Sequence, residues 1–285
     1  MTVAHLNGFY APDFVPTGRE HYAIGALPPG VDATGRSVSI ADARVFQARE
    51  SVSEAEFLRR HGFVLLQHKT AVQDWDQDAA AVYLPEVEQI IRDRLLPDFT
   101  VEVQQFPNIL RRGRDTAVPF YADGVHSDGG IDHDDYAQNI WAFATPEAAQ
   151  WWRQQYQRDA VAGFIWLDFW RPTNMAGPLD HMPLALCDPT TVERDDLVPT
   201  GITGIAPTGR ETHHLSLKFN AGQRWYYYPG MTNDELLVFK LAEFWKEPRA
   251  LGNCFHSAFV HPDTPAEAEH RQSCEHRVGA LILRA

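Results

Sequence analysis

The sequence predicts an α+β fold that is mainly β, an antiparallel barrel or jelly roll (cupin-like) with helices packed outside it. Helical signals fall before residue 160, and after it the chain consists mostly of short apolar runs that turn residues separate. With 44% hydrophobic residues, a chain of 285 residues can bury a full core. We found no repeat and no linker, so we expect one domain over residues 1–285.

The first half of this domain is predicted in two parts. Residues 1–50 are rich in Gly, Pro and short polar runs, which indicates an extended N-terminal arm of loops and short strands. Residues 51–160 hold helices and the first strands. The predicted order is a capped helix after Ser51-Val-Ser-Glu54 that Gly62 ends, the strand FVLLQH, a helix from Pro85 to Pro97, the strand TVEVQQF, and a helix that begins at Thr145-Pro-Glu.

Residues 161–285 are predicted to form the remainder of the β core. The segment from Ala162 to Trp170 is dense in aromatic and β-branched residues and is predicted to be a buried strand. The later predicted strands are HLSLKF, QRWYYY, ELLVFK, CFHSAF and CEHRVGALIL.

Charge and cysteine usage narrow the class of partner. The 25 Lys and Arg against 38 Asp and Glu leave a net charge of −13, which argues against nucleic-acid and anionic-membrane partners. A small-molecule substrate is therefore expected, and the chain is compatible with a homodimer. Three widely spaced cysteines fit neither a disulfide framework nor a zinc knuckle. Since no leader or membrane span is evident, we expect a cytoplasmic protein.

Three His-x-Asp elements are candidates for metal binding: His126-Ser-Asp128, His133-Asp-Asp135 and His261-Pro-Asp263. In an extended segment, residues i and i+2 point to one face, so an imidazole and a carboxylate can approach the same ion. With one distant histidine, such a pair forms the facial triad of non-haem iron sites. Each element alone is a weak signal, because solvated acidic turns contain the same pattern.

The C-terminal region offers a third ligand and a cation. His256 is followed fifteen positions later by Arg271-Gln-Ser273, which puts a guanidinium and a hydroxyl on one face of a strand. A guanidinium binds a carboxylate with bidentate geometry. His261 competes with His256 as the ligand, although it lies beside a proline in a turn. The alternative is a core histidine and a surface ion pair.

Two predicted strands carry aromatic side chains on one face and are candidates for a substrate pocket. Trp166 and Trp170 share one face of a strand, with Arg171 beside them, and Tyr226 and Tyr228 share a face of another. Both stripes are predicted either to line a substrate pocket or to belong to the core.

A tyrosine, an acidic run and a pair of adjacent histidines also lie in this part of the sequence. Tyr121 is predicted either to hydrogen-bond a bound keto acid or to be structural. The acidic run from Asp132 to Asp135 is interpreted as a solvated face, and His213 and His214 are given no role, since they point to opposite faces.

Four motifs in order resemble the CmcJ/NvfI oxidoreductase family, which includes fungal hydroxylase/desaturases. They are Trp170-Arg-Pro172 with Pro183-Leu-Ala-Leu-Cys-Asp188, Met231-x-x-Asp-Glu235, His256-Ser-Ala-Phe259, and Arg271-x-Ser-x-Glu-x-Arg277. The resemblance covers roughly residues 60–285.

The resemblance implies a double-stranded β-helix core and a particular set of site residues. His126, Asp128 and His256 would be the iron ligands, which decides against the other two His-x-Asp elements. Arg271 with Ser273 would hold the remote carboxylate of 2-oxoglutarate. Arg277, on the same face of the strand, is the alternative clamp.

The function that the resemblance implies is that of a mononuclear Fe(II) oxygenase. It would use 2-oxoglutarate and dioxygen to hydroxylate, desaturate or otherwise oxidise a C–H bond of a small specialised metabolite. Two alternatives stay open: a non-catalytic partner subunit of an oxygenase system, and a cupin-like metal enzyme that uses no 2-oxoglutarate.

Overall fold

The computed structural model of the chain describes residues 1–105, 109–114, 116 and 118–284. It is mostly β-sheet with few helices, as the sequence predicts. The strands are β1 Thr2–Leu6, β2 Glu20–Ala23, β3 Arg36–Asp42, β4 Phe63–Gln67, β5 Val101–Gln105, β6 Leu110–Arg112, β7 Val161–Pro172, β8 Leu184–Cys187, β9 Leu197–Thr203, β10 Thr212–Leu217, β11 Trp225–Tyr227, β12 Glu235–Trp245, β13 His256–Ala258 and β14 Ser273–Leu283. The α-helices are α1 Ala43–Glu50, α2 Glu54–His61, α3 Ala79–Ile90, α4 His133–Phe143 and α5 Pro146–Gln157.

Three sheets organise these strands. A six-stranded sheet has the order β4-β12-β7-β14-β5, with β6 paired to β14, and a five-stranded sheet has the order β1-β3-β11-β8-β13. The third sheet has the order β10-β9-β2. Most neighbours are antiparallel, but β11 pairs with β3 and β2 pairs with β9 in parallel.

The two larger sheets pack against each other through aromatic side chains. Phe63 of β4 lies 5.9 Å from Tyr226 of β11 between ring centroids, and Phe239 of β12 lies 4.7 Å from His256 of β13. The largest core cluster combines residues of both sheets, such as Phe169 and Leu186. The apolar alternation of the strands therefore produces a layer in which the two sheets share one core.

The predicted helix before β4 is confirmed, with its N-cap residue two positions later than expected. The side chain of Ser53, not Ser51, accepts a hydrogen bond from the backbone N–H of Glu56. Gly62 ends α2 at φ 73°, a left-handed conformation that glycine adopts without a steric penalty. The chain then enters β4, as predicted.

The helix predicted from Pro85 to Pro97 begins earlier in the structure. Pro85 lies inside α3, which starts at Ala79. The run Ala79-Ala-Ala has a high helix propensity and extends the helix upstream of the proline. A π-helical turn over Ile91–Leu95 follows α3. The strand predicted after it is β5, and residue 106 of that prediction lies outside the described residues.

The short strands predicted for the N-terminal residues are confirmed, and they are built into the sheets. β1 and β3 form one side of the five-stranded sheet, and β3 pairs with β11. The helix α1, which was not predicted, follows directly, with Asp42 as its N-cap. The alternation of apolar residues in β3 is short, and the Gly and Pro residues that precede this strand hid it.

The acidic run is a second correction. Asp132 is the N-cap of α4, where its carboxylate accepts from the backbone N–H groups of residues 134 and 135. Asp135 is 3% exposed and pairs with Arg19 and His213, so it is not part of a solvated face.

The remaining strand predictions are confirmed as β7, β10, β11, β12, β13 and β14, while β6, β8 and β9 were missed. Among the residues that the structure describes, no helix has the length and apolar character needed to cross a bilayer.

Candidate metal centre

The first His-x-Asp element lies in an extended segment that two isolated bridges hold in place. The backbone N–H of His126 donates to the carbonyl of His256 at 3.1 Å, and the N–H of His256 donates back at 2.9 Å. Ser127 forms a similar bridge with Leu215 of β10. This pairing places the predicted third ligand directly beside the first.

The three predicted ligands converge on one point. Nε2 of His126 lies 3.8 Å from Oδ1 of Asp128, and Nε2 of His256 lies 3.8 Å from Oδ2. One ligand atom from each residue can be chosen so that all three lie within 4.8 Å of one another. Within the described part of the chain, no other group of three His, Cys, Asp or Glu residues meets this condition.

Backbone carbonyls orient both imidazoles. Nδ1 of His126 lies 2.6 Å from the carbonyl of Gly124, and Nδ1 of His256 lies 3.2 Å from that of Cys254. We assign the proton to Nδ1 in each ring on this basis. Each Nε2 then presents a lone pair toward Asp128, which is the arrangement of metal-ligating histidines. Burial lowers the pKa of His256 to about 4, so its imidazole is neutral at pH 7.

The loop after the carboxylate lies against β12. A Cβ on Gly129 would stand 2.2 Å from the carbonyl oxygen of Leu241, so only glycine fits there. The hydroxyl of Ser127 donates to the same carbonyl at 2.9 Å. The amide of Asn253 reaches the carbonyl of Gly130 at 3.3 Å. These contacts fix the direction in which Asp128 points.

Asp128 is ionised although it is 6% exposed. Burial alone would raise the pKa of this carboxyl. The guanidinium of Arg277 lies 3.1 Å away and holds the pKa of Asp128 well below its usual range. The candidate centre therefore offers the Nε2 atoms of two imidazoles and one charged carboxylate.

The predicted clamp lies in the same cavity with an open donor. Arg271 is 1% exposed, and its guanidinium donates to the carbonyl of Met182. Its Nε and the hydroxyl of Ser273 are buried and find no hydrogen-bond partner among the described residues. Burial lowers the pKa of Arg271 to about 9. A buried cation with an unused donor is a site for an anion. Ser273 is not among the residues that line the cavity of Arg271.

Tyr121 supports this arginine. Its ring centroid is 4.1 Å from the guanidinium carbon of Arg271, and its hydroxyl donates to the backbone carbonyl of the same residue at 2.7 Å. The ring centroid of Trp170 lies 5.4 Å from the same guanidinium carbon. Because the hydroxyl proton of Tyr121 is already used in this hydrogen bond, the residue positions the guanidinium and has no free proton for a keto acid.

A cavity of about 50 Å³ connects the candidate ligands to this arginine. Apolar and charged side chains share its wall. The lining residues are Arg112, Ala122, His126, Asp128, Asp168, Trp170, Leu184, Phe239, His256, Arg271, Glu275 and Arg277.

Four predicted pocket residues do not line this cavity. Trp166 packs on Tyr136 with 4.9 Å between centroids, and Tyr226 stacks on Phe46 at 4.5 Å. These positions belong to the core.

Polar contacts hold the other two. Tyr228 donates to the side-chain oxygen of Gln47 at 2.6 Å, and Arg171 donates to the backbone carbonyls of His68 and Asn233. Like the first two, these residues are structural, and of the predicted aromatic stripes only Trp170 reaches the cavity.

Two histidines that competed as ligands are separate from the cluster. His133 is the first residue of α4 and packs on Tyr156, while His261 contacts the hydroxyl of Tyr227 at 3.0 Å. His214, which was given no role, lies beside the cluster instead. Its Nδ1 is 3.8 Å from Oδ1 of Asp128. No sequence motif indicated it, because β10 reaches the site only through the bridge to Ser127.

A comparison with family models decides the membership of the chain. The model of a family described as an oxidoreductase/YMDC permease-like domain matches residues 9–281. The chain belongs to this family. Its relatives confirm the resemblance predicted from the motifs.

Three relatives show the range of similarity. Aspirochlorine biosynthesis protein N of Aspergillus oryzae is 34% identical over 114 residues, which cover 39% of this chain and 45% of that protein. The Fe(II)/2-oxoglutarate-dependent dioxygenase nvfI of Aspergillus novofumigatus is 33% identical over 110 residues, or 38% and 37% of the two chains. The hydroxylase/desaturase efuI of Hormonema carpetanum is 27% identical over 225 residues, 73% of each. The first two matches thus span less than half of those relatives.

Solved structures of a family relative show the same fold. The iron and alpha-ketoglutarate-dependent endoperoxidase NvfI, in a structure with a different conformation, superposes with a TM-score of 0.75 at 22% identity. The match covers 99% of this chain and 98% of that one. A second structure of the same endoperoxidase gives a TM-score of 0.73 at 23% identity, with the same coverage of both chains.

Proposed function

We propose that this chain is a mononuclear non-haem Fe(II)/2-oxoglutarate-dependent oxygenase that oxidises a C–H bond of a small specialised metabolite. The observation that carries the proposal is one cavity that holds both the His126, Asp128 and His256 cluster and the open guanidinium of Arg271. Relatives named as hydroxylase/desaturases and as an Fe(II)/2-oxoglutarate-dependent dioxygenase support it.

The donor set fits ferrous iron. Two imidazoles and one carboxylate form the facial triad that leaves positions open for a bidentate co-substrate and dioxygen. In our proposal His126, Asp128 and His256 hold the metal. When bound, iron supplies the oxidant by coupling the oxidative decarboxylation of 2-oxoglutarate to the reduction of dioxygen.

The remaining side chains bind and orient. Arg271 and Ser273 would hold the remote carboxylate of 2-oxoglutarate through the two polar atoms that lack partners among the described residues. Trp170, Leu184 and Phe239 supply an apolar wall that excludes water and positions the reacting carbon. The choice between hydroxylation and desaturation follows from the pose of the substrate against that wall.

The architecture and location extend this proposal. We infer a double-stranded β-helix core in a single oxygenase domain over residues 1–285, from the two packed sheets and the full-length likeness to the endoperoxidase fold. Cys187, Cys254 and Cys274 are free and buried, which favours a reducing compartment such as the cytoplasm.

An anaerobic titration tests the proposal. Fe(II) and then 2-oxoglutarate are added to the purified chain, and the weak visible charge-transfer band of a metal-chelated keto acid is expected to appear. Iron binding without the band would favour a cupin-like enzyme that uses no keto acid. A chain that binds no iron would favour the non-catalytic subunit.

Two histidine variants provide a matched comparison. His256→Ala should lose iron, because it removes one of three ligands. His261→Ala should keep it, because that ring lies outside the cluster and contacts Tyr227. Equal iron retention in the two variants would contradict the ligand assignment.

A further inference from the structure

Arg277 of β14 is engaged with the candidate carboxylate ligand. Nη2 of Arg277 lies 3.1 Å from Oδ2 of Asp128 and 3.0 Å from Oε1 of Glu275, and its Nε lies 3.9 Å from Oδ2 of Asp168. Arg271, two residues before this strand, differs because its guanidinium donates to a backbone carbonyl, that of Met182, and forms no ion pair with a described residue at 4.0 Å or less. The two arginines therefore have different surroundings and different tasks.

A chain of buried ion pairs holds Arg277 in place. Glu275 is 8% exposed and is bound from the other side by Arg112, with Nε to Oε2 at 3.0 Å and Nη2 to Oε1 at 3.2 Å. Asp168 faces Arg277 in the register of β7 and β14. Since carboxylates contact the guanidinium on several sides, it cannot leave Asp128 without breaking other pairs.

The contact restricts how the carboxylate can bind a cation. A carboxylate ligates through one oxygen or through both, and a second oxygen on the ion occupies a position that a bidentate co-substrate needs. Each oxygen of Asp128 lies 3.8 Å from one ligand histidine, Oδ1 from Nε2 of His126 and Oδ2 from Nε2 of His256. Arg277 lies 3.1 Å from Oδ2, so its guanidinium competes with a cation for that oxygen.

We infer that Arg277 is a positioning residue that confines Asp128 to a single donor oxygen and so keeps a metal position free for a chelating co-substrate. This inference rests on the proposed function. It assigns to Arg277 a task distinct from that of the clamp Arg271. Glu275 and Arg112 hold Arg277 in this role.

Two chelators separate the two tasks. Oxalate chelates a metal through two oxygens but has no remote carboxylate for a clamp, whereas 2-oxoglutarate has both features. Arg277→Gln should bind Fe(II) as wild type does but bind oxalate and 2-oxoglutarate roughly tenfold or more weakly, the range typical for groups that orient metal ligands. Arg271→Leu should weaken 2-oxoglutarate alone and keep oxalate.

The measurement is anaerobic calorimetry of Fe(II), and then of each chelator, on the full chain. Thermal unfolding of the iron-free variants checks that they fold. Arg277→Lys retains the charge and should restore part of the oxalate affinity. Glu275→Gln, which leaves Arg277 in place but loosens it, should show a smaller loss of the same kind.

Each contrary result has a separate meaning. Normal oxalate binding with weak 2-oxoglutarate binding in Arg277→Gln would make Arg277 a clamp and overturn the inference, as would unchanged affinity for both. Loss of Fe(II) itself in Arg277→Gln would also overturn it, since the arginine would then maintain the ligand and not its denticity. If the wild-type chain binds no iron, the proposed function itself fails.

Discussion

Replacing Arg271 by leucine should weaken co-substrate binding but leave the stability of the iron-free protein nearly unchanged. In the structure, the guanidinium is 1% exposed and forms no ion pair with a described residue at 4.0 Å or less. A buried cation without a charged partner is costly until an anion binds beside it. The variant should therefore lose affinity for 2-oxoglutarate without becoming less stable.

The structure sets the size of both effects. Removing one partner of a buried charged pair costs about 3–5 kcal/mol, and about 1.4 kcal/mol corresponds to a tenfold change, so the dissociation constant should rise on the order of 100-fold or more. In the iron-free protein, leucine loses one hydrogen bond to Met182 and the contacts with Tyr121 and Trp170, each about 1 kcal/mol. The relief of burying the charge offsets these losses.

Calorimetry of 2-oxoglutarate with the anaerobic Fe(II) protein measures the first effect, and thermal unfolding of the iron-free chain measures the second. Arg271→Lys is the matched control, because it keeps the charge but not the bidentate geometry, and its affinity should lie between the other two. Wild-type affinity for 2-oxoglutarate in Arg271→Leu would refute the reasoning. A large loss of stability in the iron-free variant would show that the arginine is structural.

Three further outcomes can be checked. Gly129→Ala should weaken iron binding and destabilise the fold by about 2 kcal/mol, because the new Cβ would lie 2.2 Å from a carbonyl oxygen of β12. Gly177→Ala, whose Cβ would have no described atom within 4 Å, should change neither iron binding nor the stability measured by thermal unfolding. Tyr226→Ala should cost about 3 kcal/mol in chemical denaturation but leave keto-acid affinity unchanged, and a loss of affinity would return this residue to the pocket. In Asp135, burial opposes ionisation, but the hydrogen bond with His213 and nearby positive charge lower the pKa below its ordinary value of 3.8. The stabilising contribution of this carboxylate is therefore complete above pH 3.8 and disappears as the pH falls through the lower pKa of the folded state. The difference in stability between wild type and Asp135→Asn should narrow in acid denaturation, and a wider difference would contradict this account.

Local patterns predicted the site residues that lie close together in sequence. His126 and Asp128 are two positions apart in an extended segment, so their shared direction follows from backbone geometry alone. Arg271 and Ser273, at the start of β14, are also two positions apart. The choice of His256 over His261 came from the family resemblance, and the structure places only His256 in the cluster.

Features that depend on tertiary pairing could not be predicted in this way. His214 reaches Asp128 because β10 bridges Ser127, a contact that no spacing in the sequence indicates. The spacing of Arg271 and Arg277 predicts one shared strand face, and only the carboxylates around Arg277 distinguish the two. Asp135 looked solvated because burial of a charged side chain depends on partners such as Arg19, which is distant in sequence.

The bridge between His126 and His256 also bears on the timing of assembly. The two residues are far apart in the chain, and β14, which carries Arg277, pairs with β7 across a similar separation. Such non-local contacts form slowly, since the chain entropy of closing long loops is lost before the contacts are gained. We therefore expect the two histidines and the carboxylate to meet only late in folding, so that a metal would enter a nearly finished structure instead of acting as a nucleus for it.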